Sequence, residues 1–137
     1  MQTPSADSAT ETPAQPVTFT HRFFGWLDAQ AKRWTNPDGS EGGIVALDAT
    51  IPADTKVPFD GVIGPRASIG DGASIGPRAS IGDGASIGYG ASIGYGASIG
   101  YGASIGDGAS IGDGASIGPR ASIGYGASIG YGASIGD

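Results

Sequence analysis

The chain contains no cysteine and only one histidine and one methionine in 137 residues. Without thiols it can form neither disulfides nor thiolate metal sites. Basic residues are few: seven Lys and Arg stand against thirteen Asp and Glu, for a formal net charge of −6. With no basic cluster, nucleic acid is not an expected partner. No apolar run approaches the roughly 20 residues that span a bilayer. The amino terminus, Met-Gln-Thr-Pro-Ser-Ala-Asp, has neither a basic nor an apolar region, so no secretory signal is expected. That leaves a cytoplasmic location or export to the cell surface by another route.

What the chain does have is one phrase repeated. From Ile63 onward it reads Ile-Gly-x-x-Ala-Ser, where x-x is Asp-Gly, Tyr-Gly or Pro-Arg. Isoleucine stands at every sixth position from Ile63 to Ile135, and alanine at every sixth from Ala67 to Ala133. In extended backbone alternate side chains share a face, so Ala and Ile point one way while Ser and Gly point the other. The two remaining residues are turn formers, because glycine accepts positive φ and proline pre-sets φ at a corner. Strand and corner in strict alternation, with aliphatic residues always inward, describe a solenoid whose strands pair with the coils above and below.

The hexads Ile-Gly-Pro-Arg-Ala-Ser and Ile-Gly-Asp-Gly-Ala-Ser resemble the hexapeptide-repeat family over roughly Val45 to Asp137. That resemblance implies a left-handed parallel β-helix of triangular section, with three hexads or eighteen residues per coil. The corners agree with such a coil. One column reads Pro65, Asp83, Tyr101, Pro119, Asp137; the second reads Asp71, Tyr89, Asp107, Tyr125; the third reads Pro77, Tyr95, Asp113, Tyr131. No Asp stacks on another Asp, whereas a twelve-residue coil would place Asp71 on Asp83 at about the strand spacing of 5 Å. Hexads counted from Val45 give about five coils.

Ahead of the solenoid, residues 1–17 form a Pro-, Ser- and Thr-rich arm, and residues 18–43 an amphipathic helix and a Gly-rich joint. Phe23, Leu27, Gln30 and Trp34 share one side of a helical wheel, with Phe24, Trp26 and Ala31 beside them. Thr20 suits an N-cap and Asn36-Pro37 a stop. This aromatic face would lie on another subunit, on the first coil, or less readily on a membrane.

Chemistry is harder to find. Acyltransferases of the resembled family use a histidine between coils and loops that break the repeats, and its carbonic anhydrases need three histidines. Here His21 lies outside the repeats, and no loop interrupts them. The isolated aspartates do not supply the six or more oxygens that a hard cation requires. The expectation is therefore no catalytic residue, no metal, no cofactor and no enzymatic activity. The chain stops in mid-coil, and unpaired strand edges template further pairing. The expected role is a self-assembling structural protein whose subunits stack end to end into a filament. Ile135 would supply the edge, Val45, Ile51 and Val57 the receiving coil, and Phe23, Phe24, Trp26, Leu27 and Trp34 the lateral anchor. The alternatives are a trimeric hexapeptide-repeat binding scaffold or degenerate acyltransferase-like protein and, third, an ice-binding solenoid with rows of Ser hydroxyls.

Overall fold

A computed structural model of the chain describes residues 17–136. The expected arm thus lies, apart from Val17, outside the described residues. The solenoid is present as read. Strands pair in parallel with partners eighteen residues away, Ser92 with Ser110 and Ile93 with Ile111. Three sheets form the walls, one of eight strands and two of four. Ile and Ala point inward along the whole stack; Ile93 and Ala91 are buried while Ser92 is exposed.

The hexad explains each wall bond. Ser92 N–H donates to the Ala109 carbonyl and Gly94 N–H to the Ile111 carbonyl, each at 2.8 Å. Between walls, Gly88-Tyr89-Gly90-Ala91 closes a turn in which Ala91 N–H donates to the Gly88 carbonyl. Gly90 has φ +67°, the left-handed conformation that the third residue of a type II turn requires. In the Pro-Arg corners an arginine takes that place: Arg66, Arg78 and Arg120 each have φ +61°. Holding a residue with a Cβ there costs about 1 kcal/mol.

The glycine after each isoleucine is not simply part of a bare outer face. A Cβ on Gly70 would come within 2.6 Å of the Tyr89 amide nitrogen in the next coil. From Gly70 to Gly112 the close stacking of coils excludes any side chain at that position.

The expected helix over residues 18–43 does not form, and there is no helix among the described residues. Thr18–Phe23 is strand β1, Leu27–Thr35 is β2 and Glu41–Ala46 is β3. β1 and β2 are antiparallel, β2 is antiparallel to β3, and β3 runs parallel to β4, Val62–Ile63, in the eight-stranded wall. The spacing of Phe23, Leu27 and Trp34 fits a 3.6-residue period. However, the stretch also alternates, with Phe19, His21 and Phe23 more buried than Thr18, Thr20 and Arg22. Two facts favour the strands. Gly25 would fall in the helix interior, at a cost of about 1 kcal/mol, and the open edge of β3 offers a full ladder of partners. Instead, Phe24 and Gly25, with φ +56° and +81°, turn the hairpin, and Trp26 N–H donates to the Phe23 carbonyl. The presumed joint is also ordered: Gly42 and Gly43 lie inside β3 against the backbone of Val57 and Gly61.

Candidate functional site

The outward positions of the eight-stranded wall run Ile44, Val62, Ser80, Ser98, Ser116, Ser134. The first two are apolar where the repeat would have serine. The hairpin covers them: Phe23, Ala31 and Ala46 form a second buried cluster, with Phe19, Leu27, Ile44 and Val62 packed around it. Two apolar letters at a serine position were the sequence signal for this docking, and it was missed.

The hairpin tip reaches beyond the covered part. The Phe24 ring lies on Gly64, where a Cβ would come within 2.8 Å of it. Between the tip and the serines is a groove of about 260 Å³, with Phe24 and Trp26 on one side and Tyr101 and Pro119 on the other. Its floor includes Ser80, Ser98, Gly82 and Gly100, and Asp83 also lines it. Trp26 is 62% exposed and Tyr101 45%, so aromatic surface is available to a ligand. Asp83, though only 8% exposed, is neutralised: Arg66 Nη2 stands 2.7 Å from both its carboxylate oxygens. The Arg120 guanidinium lies 5.9 Å from the centre of the Tyr101 ring. The groove therefore presents aromatic rings and hydroxyls, with its one carboxylate already paired.

The expected interface residues separate into four places. Phe24 and Trp26 stand at the groove, whereas Phe23 and Leu27 pack beneath the hairpin. Trp34 lies at the amino-terminal end of the solenoid, where its Nε1–H donates to the Thr55 carbonyl at 2.8 Å. Asn36, also buried there, accepts the Val57 amide proton through Oδ1 at 2.8 Å. Arg33 stacks 4.0 Å from the Phe59 ring centre and donates to the Gly42 and Phe59 carbonyls. Val45 and Val57 are fully buried and Ile51 is half-buried. Ile135, in the last coil, is half-buried. His21 sits edge-on to Phe23, ring centres 4.7 Å apart, and does not line the groove.

The aspartates are not simply solvated charges. Asp107 Oδ1 accepts the amide proton of Tyr89 in the coil below, and Asp113 does the same for Tyr95, each at 2.9 Å. On the hairpin, a hydrogen bond from Arg22 holds the Asp28 carboxyl below its ordinary range. The Ser40 hydroxyl and amide do the same for Asp38. Among the described residues no cluster of acids and histidine is suited to a metal ion.

Residues 60–95 match the model of the bacterial transferase hexapeptide family (six repeats). No curated protein matches the chain. Among solved structures, the chain is similar to a perosamine N-acetyltransferase from Caulobacter crescentus, determined with CoA and GDP-perosamine. The identity is 19% over 77% of this chain and 52% of that one, with a TM-score of 0.49, so this chain spans about half of that protein. A hexapeptide transferase family protein from Anaplasma phagocytophilum is 19% identical over 74% of this chain and 76% of its own, with a TM-score of 0.31. These findings correct one expectation. A chain whose repeats match a bacterial transferase hexapeptide model cannot be set down as a non-enzyme on its histidine count.

Proposed function

Because the chain is a hexapeptide-repeat left-handed β-helix protein, we propose that it works as an oligomeric binding scaffold of the acyltransferase type. The observation that carries this is the hairpin laid over a single wall, which builds an aromatic- and serine-lined groove at its tip. In this reading Trp26 and Tyr101 flank an extended acyl carrier, and the Ser80 and Ser98 hydroxyls bond its polar groups. A neighbouring wall, with Thr50, Ser68, Ser86, Ser104 and Ser122 outward, carries no charge on its strip. It is the natural contact for a second and third copy, as small uncharged side chains allow backbones to approach closely.

Growth of a filament through coil ends has less support. The coil meant to receive a neighbour has Val45 and Val57 buried and Trp34 and Asn36 bound across it. Light scattering tests assembly, with three chains per particle expected. Calorimetric titration with acetyl-coenzyme A, followed by a thiol-release assay with amine and sugar acceptors, tests the site. Trp26→Ala combined with Tyr101→Ala should weaken binding about tenfold or more, since aromatic contacts at such sites typically contribute a kcal/mol or so each. A monomer at micromolar concentration that neither binds nor turns over acetyl-coenzyme A would refute the proposal.

A further inference from the structure

The remaining wall bears four of the five tyrosines along its two edges. Its outward strip is Ser74, Ser92, Ser110 and Ser128. One edge stacks Tyr89, Asp107 and Tyr125 in successive coils, and the other stacks Tyr95, Asp113 and Tyr131. Tyr125 and Tyr131 are each 87% exposed, and Tyr89 and Tyr95 are also open. Each aspartate spends one oxygen on a backbone amide, and neither belongs to an ion pair among the described residues. The wall is thus a flat hydroxyl strip between two ridges of aromatic ring, carboxylate and aromatic ring.

We propose that this wall docks an extended, arginine-bearing peptide of another protein. Charge selects the partner. The ridges are acidic, with Asp71 below Tyr89 on one of them, so a second copy laid face to face would crowd the carboxylates of both copies together, and like charges across an interface are unfavourable. Of the three corner arginines that a second copy could offer, Arg66 and Arg78 already face carboxylates in their own chain, Asp83 and Asp60, and Arg120 lies by the Tyr101 ring on another corner. The first sixteen residues of this chain contain no lysine or arginine. The matching contact already occurs within the fold, where Arg78 lies 5.9 Å from the Tyr95 ring centre. Spacing selects the conformation. Tyrosines two coils apart on one edge are separated by about 10 Å at the usual strand spacing. A polyproline II chain returns to the same face every three residues, after roughly 9 Å. Segments of that kind commonly seat between aromatic ridges.

The probe is a fluorescently labelled peptide of four Arg-Pro-Pro units, followed by anisotropy, beside a peptide of the same composition with its arginines in one block. The spaced peptide should bind more tightly. Tyr125→Ser with Tyr131→Ser removes two exposed rings that support nothing in the fold, and should weaken binding about tenfold. Asp107→Asn with Asp113→Asn keeps the backbone caps through Oδ1 and should weaken it severalfold. Asp38→Asn with Glu41→Gln removes the same charge at the β2–β3 loop and should leave it unchanged. Equal loss in that control, equal affinity for the block peptide, or no binding at millimolar peptide would overturn the proposal. So would a drop in particle mass on Tyr125→Ser with Tyr131→Ser, which would identify the wall as a contact between copies.

Discussion

Gly88 and Gly124 occupy the same place in the hexad, and neither has positive φ. A Cβ on Gly88 would lie 2.5 Å from the Asp107 amide nitrogen and 2.6 Å from the Gly106 carbonyl carbon. Both are backbone atoms of the next coil, fixed by the 2.7 Å bond from Gly88 N–H to the Ile105 carbonyl. They can give way only by parting the two coils. A Cβ on Gly124 meets nothing within 4 Å. Gly88→Ala should therefore destabilise by about 1–3 kcal/mol, the usual cost of overpacking a fixed site. Gly124→Ala should be neutral or slightly stabilising, since alanine restricts the unfolded chain more than glycine. Urea titrations of the two variants beside the parent protein measure the difference. If Gly88→Ala matched Gly124→Ala within about 0.5 kcal/mol, the close approach of coils would not be what excludes side chains from this position.

Asn36→Ala should cost about 1–3 kcal/mol, because it leaves the buried Val57 amide without an acceptor; an unchanged urea midpoint would refute this. Asp83→Asn should lower stability by about 1 kcal/mol after allowance for the exposure of Arg66, read as a fall in thermal midpoint. The hairpin should loosen in acid. Asp28 and Asp38 have lowered folded-state pKa values. Their contribution is full above the ordinary carboxylate value of about 4 and disappears as pH falls through the lower folded values. Hydrogen exchange of β1 and β2 amides, followed from neutral pH downward and corrected for intrinsic rates, should show protection lost there before it is lost in the walls.

The sequence made the solenoid legible because one constraint repeats without competition. Each Ile and Ala of the repeats faces the interior, and the Gly after each Ile from Ile69 to Ile111 stands where coils touch. The hairpin was illegible for the opposite reason. Phe23, Leu27 and Trp34 fit a helical period while Phe19, His21 and Phe23, then Leu27, Ala29 and Ala31, fit an alternating one, and the choice fell to a distant edge, that of β3. Phe24-Gly25 as a turn, and Ile44 and Val62 in place of serine, were readable signs of it. The groove could not be read, since it brings Trp26 beside Tyr101, seventy-five positions along the chain. The caps from Asp107 and Asp113 were hidden too, because a corner aspartate looks like an ordinary soluble charge until its neighbour below is known.

The uniform walls pose a counting problem. Sliding one stack by eighteen residues lays Ser on Ser and Ile on Ile and restores every ladder bond, so the walls alone cannot distinguish the native winding from one with a skipped coil. The corners can. A slip of one coil would offer Tyr101 to Arg66 in place of Asp83, and Tyr125 to the Tyr89 amide in place of Asp107. Only the unslipped winding satisfies these contacts together, like the notches of a key. The origin of the count lies at the hairpin, where Ile44, Val62, Trp34 and Asn36 have no equivalents higher in the stack. Winding that starts from this end inherits a fixed zero. The variable pair in each hexad, which looks like drift in a copied phrase, thus records the position of its coil.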